Sequence, residues 1–215
     1  LTGNITGAGG DDLFNLTVGL GIGGILDGGG DNDQLIGPET AAVYTITGLD
    51  AGTATGIGGG FVDVENLTGG TSTDLFGLDG GTLTGTIDGG SGANDTLTAD
   101  DAVATAFVIT GLDTGTVTGV GGGFSDIENL TGAASADTFT LNGGTLTGSI
   151  SGGAGAAVDT LTADDGVPTA FVIIGANQGS ITGIGGGFTE VENLTGAASA
   201  DTFTFGAAGQ LTGNI

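Results

Sequence analysis

The sequence predicts an all-β protein: a parallel β-solenoid (β-helix) of about ten coils of about 21 residues, with three coils in every repeat of about 63. Three observations lead there. The segment GGGFVDVENLTG at 58–69 returns as GGGFSDIENLTG at 121–132 and as GGGFTEVENLTG at 185–196. Inside that long period, apolar residues come back every 20 to 23 positions in the more regular series. Locally, Thr-Leu-Thr, Thr-Phe-Thr, Thr-Val-Thr and Thr-Ile-Thr alternate polar and apolar residues, the period of a half-buried strand.

The long period divides a single segment, 1–215, into a divergent first part at 1–32 and repeats at 33–94, 95–158 and 159–215. One apolar series runs Ile5, Ile25, Ile46, Leu67, Ile87, Ile109, Leu130, Ile150, Ile173, Leu194, Ile215. A second runs Leu13, Leu35, Ala54, Phe76, Leu97, Val117, Phe139, Leu161, Ile181, Phe203. β-Branched residues favour the pleated surface, and Gly, Asn and Asp supply turns between the short runs. No stretch shows a helical stripe with caps. Coils that stack at every step place like residues about 4.8 Å apart. A sandwich with turns every 8–12 residues does not explain a fixed three-coil repeat.

Composition removes several functions. The chain has 51 Gly and 25 acids, and no Lys, Arg, His, Cys, Met or Trp. Without basic residues it cannot neutralise phosphates, so nucleic acid is not an expected partner, nor is an anionic membrane surface. Most nucleophilic catalysis also needs side chains that are missing. Paired carboxylates remain able to do acid–base work. No apolar run is long enough to predict a membrane span. The apolar fraction of 38% and its regular placement argue against disorder.

The repeated motif carries acids. In the 124–130 copy, Ile127 lies between Asp126 and Glu128. A strand there turns Ile127 inward and both acids outward; Val64 and Val191 are its equivalents. Strict alternation then sends Phe124 and Leu130 outward, so the chain is expected to bend at both ends of the segment. Asn66, Asn129 and Asn193 sit at such a bend, where an Asn amide bonds the backbone of a neighbouring coil. The motif therefore reads as a solvated edge with a structural Asn. The alternative is a carboxylate pair that binds a cation or acts in catalysis.

Asp stands two residues before an apolar ladder position at Asp11, Asp33, Asp95, Asp137, Asp159 and Asp201. Three of the preceding turns are rich in Gly and acid, at 6–14, 28–35 and 89–97. A Gly-rich turn exposes carbonyls, and a carboxylate adds a hard oxygen, which suits Ca²⁺. These residues resemble the RTX, or haemolysin-type, calcium-binding repeats of secreted bacterial proteins, Gly-Gly-x-Gly-x-Asp-x-apolar-x. Residues 6–14 match apart from Thr6 at the first Gly, residues 28–36 match with Asp31 at the third Gly, and 89–97 needs one extra residue. The resemblance implies Ca²⁺ at Asp11, Asp31, Asp33 and Asp95, and more weakly at Asp137, Asp159 and Asp201. An Asp that only caps its turn is the alternative. The chain departs from the family in carrying such turns singly, with Ser135, Ala136 and Ala156 where a ligand-exposing Gly or Asn is expected.

Hydroxyl pairs flank the second series at Thr96/Thr98, Thr116/Thr118, Thr138/Thr140, Thr160/Thr162, Ser180/Thr182 and Thr202/Thr204. Stacked, they resemble the Thr-x-Thr faces of β-solenoid antifreeze proteins. The chain opens and closes on Leu-Thr-Gly-Asn-Ile without losing phase. The coil is therefore expected to continue past both ends, in one polypeptide or by head-to-tail stacking. The functional expectation is a non-catalytic extracellular fibre, filament or adhesin stalk at a bacterial surface. An ice-binding module, and then a polysaccharide-acting enzyme, are the alternatives.

Overall fold

The computed structural model describes residues 1–16 and 21–215. They form short strands of two to six residues and no helix, gathered in two largely parallel sheets. The chain divides into two compact units, Leu1–Leu97 with Gly119–Ile127, and Thr98–Thr118 with Glu128–Ile215.

In the first unit the chain passes back and forth between the sheets. One sheet stacks Ile5–Thr6, Leu26–Asp27 and Ile57–Val62 in parallel, aligning Ile5, Leu26 and Phe61. The other stacks Leu13–Asn15, Gln34–Ile36, Asn66–Thr68, Ile87–Asp88 and Val120–Ser125, aligning Phe14, Leu35, Leu67, Ile87 and Phe124. The second unit repeats the plan. Leu130, Ile150 and Phe188 align in one sheet, and Phe107, Phe139, Leu161 and Leu194 in the other. These aligned side chains are almost all buried. With no helix to cover them, the apolar faces of the two sheets form the core.

Two features differ from evenly stacked coils. The first is register. Ile25 is 39% exposed and Leu26 fully buried, and Leu13 is 62% exposed while Phe14 takes the ladder position. The second is an antiparallel three-strand meander that interrupts the parallel stack. It occupies Val43–Gly48, Ala51–Ala54 and Ile57–Val62, and again Ala170–Gly175, Gln178–Ile181 and Ile184–Thr189; Ala106–Gly111 and Thr114–Val117 repeat its first antiparallel pair. Parallel partners lie 20–22 residues apart in plain coils, as Leu67 and Ile87 do, but 32 apart at Ile46 and Leu78. Ile46 and Leu67, neighbours in one apolar series, consequently lie in opposite sheets.

The meander follows from its glycines. Its first turn closes on Asp50, Asp113 or Asn177 with φ of 50° to 52°, and its second on Gly56, Gly119 or Gly183. Asn, Asp and Gly are the residues that accept this left-handed backbone. In the returning strand, Gly187 has φ 75°, and a side chain there would overlap the Gly179 carbonyl. The GGG of the repeated motif is thus a strand rather than a loop.

Each meander opens with an aromatic pair stacked across a parallel rung: Tyr44 on Phe76, Phe107 on Phe139 and Phe171 on Phe203, with centroids 4.6–5.0 Å apart. Only the first has a hydroxyl. Tyr44 Oη donates to the Thr68 carbonyl at 3.0 Å and occupies the space where a side chain at residue 37 would lie. That residue is Gly37. At the matching places beside Phe107 and Phe171 stand Ala99 and Ala163. Gly37, Ala99 and Ala163 make the same backbone bond, to the carbonyls of Thr68, Thr131 and Thr195.

Candidate functional site: carboxylate ladders at the turns

Glycine starts the turns that carry the acids. Gly7, Gly28, Gly69, Gly132 and Gly196 lie five residues before Asp12, Asp33, Asp74, Asp137 and Asp201; Gly89 and Gly152 lie six and seven before Asp95 and Asp159. In every case the carboxylate folds back over the glycine α-carbon, where a Cβ would collide with its Oδ2. The other oxygen, Oδ1, reaches a neighbouring coil. It accepts the N–H of Asp12 at Asp33, of Ala42 at Asp74, and of Asp74 at Asp95. It accepts the N–H of Thr105 at Asp137, of Asp137 at Asp159, and of Thr169 at Asp201. These bonds are 2.6–2.9 Å long, as expected for ionised acceptors. The motif glutamates extend the ladders: Glu65 Oε2 accepts from Asp33 N–H and Glu192 Oε2 from Asp159 N–H. Sequence reasoning missed Asp74 and both glutamates, although Gly69 before Asp74 repeats the spacing of the other turns.

The second oxygen distinguishes two kinds of turn. At Asp12, Asp74 and Asp201 it accepts the N–H of the residue after the glycine, at Ala8, Gly70 and Ala197. At Gly29, Gly90, Ala133 and Gly153 that residue instead has a left-handed φ of 70° to 101°. Asp33 Oδ2 and Asp137 Oδ2 are buried in such turns with no donor.

The residues expected to hold Ca²⁺ therefore fall into two groups. Asp33, Asp95, Asp137 and Asp159 are buried. At each, the Oδ2 and a backbone carbonyl oxygen, of Asp63, Asp126, Gly152 or Glu190, lie against the same glycine α-carbon. Both Asp201 oxygens accept backbone N–H groups. Asp11 and Asp31 are different. Both are exposed, and they reach across adjacent coils, Asn32 N–H to Asp11 Oδ1 and Gly10 N–H to Asp31 Oδ2. One oxygen of each is so used, and the donor set has the hardness Ca²⁺ needs. Among the described residues no three His, Cys, Asp or Glu side chains gather in a metal-holding group. Beside this turn a polar groove of about 370 Å³ is lined by Asp11, Asp12, Leu13, Asn32, Gln34, Asn66 and Thr86.

The motif bends at its centre rather than at its ends: Asp63, Asp126 and Glu190 have φ of 49° to 55°, no strand runs through Val64, Ile127 and Val191, and these three side chains are fully buried. The edge is not purely solvated, because Glu65 and Glu192 serve the ladders. The asparagines are structural. Asn66 Oδ1 accepts from the N–H and hydroxyl of Thr86, Asn129 Oδ1 from those of Ser149, and Asn193 Oδ1 from Asn214 N–H. Among the Thr pairs, Thr138 aligns with Thr160, and Thr140 with Thr162 and Thr195, whereas Thr202 and Thr204 lie in the other sheet of that unit.

Burial pushes the Asp137 carboxyl up to about 6, against the opposing pull of the Thr105 N–H. Burial likewise pushes Asp159 up to about 6; the Asp137 N–H opposes this, and the charges of Asp137, Glu192 and Glu190 add to it. No family model, no curated protein and no solved structure matches this chain.

Proposed function

We propose that this chain is a structural, non-catalytic segment of an extracellular bacterial fibre, filament or adhesin stalk: a solenoid of about ten coils, three to each repeat of about 63 residues, that continues or stacks end to end. One observation carries the reading. Each ladder acid commits an oxygen to a backbone N–H group of a neighbouring coil, in equivalent positions in successive repeats. A glycosidase instead aims two carboxyls at one scissile bond from opposite sides. In this reading the Asp11–Asp31 turn takes Ca²⁺ in the manner of RTX-like repeats, and the ion ties the first coils together.

Sedimentation over a concentration series, with Ca²⁺ and with chelator, tests it. End-to-end species that grow with concentration, and a melt that falls on chelation, are expected. A chain that stays monomeric throughout defeats the stacking, and an unchanged melt defeats the bound ion. The registered rows Thr138/Thr160 and Thr140/Thr162/Thr195 favour a second reading, an ice-binding face. Unaltered ice growth in the presence of the protein would dismiss it.

A further inference from the structure

The chain has one Asn-Gly step, Asn142–Gly143. It forms the turn after the strand Thr138–Leu141 in the second unit, and both residues are exposed. Such a step carries its own chemistry. The backbone nitrogen that follows an Asn can attack the side-chain amide carbon, and Gly hinders the approach least because it has no Cβ. A bond forms between Gly143 N and Asn142 Cγ, and the bond from Cγ to the amide nitrogen breaks. Ammonia leaves with that nitrogen and the proton from Gly143. Water then opens the cyclic imide at one carbonyl or the other, leaving Asp or an isoaspartyl residue.

The fold holds the nucleophile. Gly143 N–H donates to Asp164 Oδ2, one coil on, at 2.7 Å. Asp164 Oδ1 in turn accepts the Gly166 N–H at 2.7 Å, which fixes the carboxylate. The turn is also pinned to the coil before it: Asn142 N–H donates to the Ile109 carbonyl and Thr145 N–H to that of Gly111. To attack, the Gly143 nitrogen must lose its proton and its bond to Asp164. A carboxylate against that N–H favours the protonated form and opposes the anion.

We propose that Asn142 is a modification site, converted to Asp or isoaspartate by its own backbone, and that the Asp164 carboxylate keeps it unreactive until the turn opens. The first repeat shows that an acid is accommodated there. Asp79 stands at the matching place before Gly80, at φ 75°, and its N–H donates to the Ile46 carbonyl as that of Asn142 does to Ile109. The isoaspartyl product instead inserts a methylene into the backbone between Leu141 and Thr145, which bridges Leu112. Either product adds a negative charge to the groove that Asn142 shares with Asp165. Hydrolysis is one-way, so the product accumulates with each opening of the turn. The proposal does not depend on the fibre reading, because it concerns bonds within one unit.

The full chain tests it by mass. Native protein and protein unfolded in urea are held at mildly alkaline pH, and the proteolytic fragment containing Asn142 is followed for conversion of amide to acid. In urea Asn142 should convert ahead of every other Asn. The native chain should convert at least about tenfold more slowly, the factor that about 1.4 kcal/mol of opening gives. Hydrogen exchange at the Gly143 amide reads the same opening, so its protection should match the slowing. Native Asp164→Ala should convert faster, whereas Asp165→Ala, which leaves the Gly143 bond in place, should keep the native rate. Native conversion at the unfolded rate, an unprotected Gly143 amide, an unchanged rate in Asp164→Ala, or an equal rise in both variants would overturn the proposal. The comparison of native with unfolded protein, together with the exchange, decides it even if Asp164→Ala does not fold.

Discussion

Gly37 and Tyr44 offer a double-mutant test of the core. Alanine at 37 places a methyl group where Tyr44 Oη now sits. The ring must shift, at about 1–3 kcal/mol for overpacking. Its hydroxyl then loses the Thr68 carbonyl, at about 1–3 kcal/mol for a buried polar group left unmade. Gly37→Ala should therefore cost about 2–5 kcal/mol. Tyr44→Phe should cost only about 1 kcal/mol, because the Thr68 carbonyl keeps the Gly37 N–H. Together the two changes recreate the Ala99/Phe107 and Ala163/Phe171 arrangements, so most of the Gly37→Ala cost should vanish. Urea unfolding of the four proteins gives the coupling, expected at about 1.5–3 kcal/mol, toward the upper end for residues in contact. Additive losses would refute the packing described for this rung.

Three further outcomes are expected. Gly187→Ala should cost several kcal/mol, from left-handed backbone at about 1–2 plus overlap with Gly179, whereas Gly143→Ala should cost about 1–2 kcal/mol, since its φ of 78° opens on empty space; equal midpoints would speak against the antiparallel meander. Asp74→Ala orphans the N–H groups of Ala42 and Gly70 and should cost about 2–5 kcal/mol at pH 7, read as a fall in Tm; a loss under 1 kcal/mol would mean water reaches both. Burial, and then the charge of Asp74, push the Tyr44 hydroxyl far above its ordinary range, so phenolate absorption on alkaline titration should appear only with unfolding, and a reversible rise in the folded protein near pH 10 would contradict that burial.

The all-β character, the recurrence of the motif and its structural asparagines were legible because each rests on local chemistry: alternation, β-branching and residues that tolerate left-handed backbone. Register was not. Ile25–Leu26 and Leu13–Phe14 are pairs of adjacent apolar residues, and alternation alone cannot say which member turns inward, though a one-residue slip reverses every side chain. The meander was hidden because GGG resembles a turn. What makes it a strand is a distant partner, Gly52 or Gly179, without which the close approach has no meaning. The acids were located by spacing, but residue type does not reveal whether an oxygen meets solvent, an ion or a backbone N–H. That depends on whether the residue after the glycine is left-handed, as Ala133 is and Ala197 is not.

The side-chain ties between coils have a sense of direction. Each ladder carboxylate takes its bond from a residue earlier in the chain, as Asp137 does from Thr105 and Asp201 from Thr169. The asparagines do the reverse, Asn66 taking from Thr86, Asn129 from Ser149 and Asn193 from Asn214. A coil is thus keyed differently on its two faces, like a tile with a tongue on one side and a groove on the other. Asp11, Asp50 and Asp113 also take their bonds from later residues, Asn32, Thr84 and Thr147, so it is the ladder carboxylates and the asparagines that point opposite ways. In the end-to-end assembly proposed above, an added coil would have one orientation in which both sets of ties close.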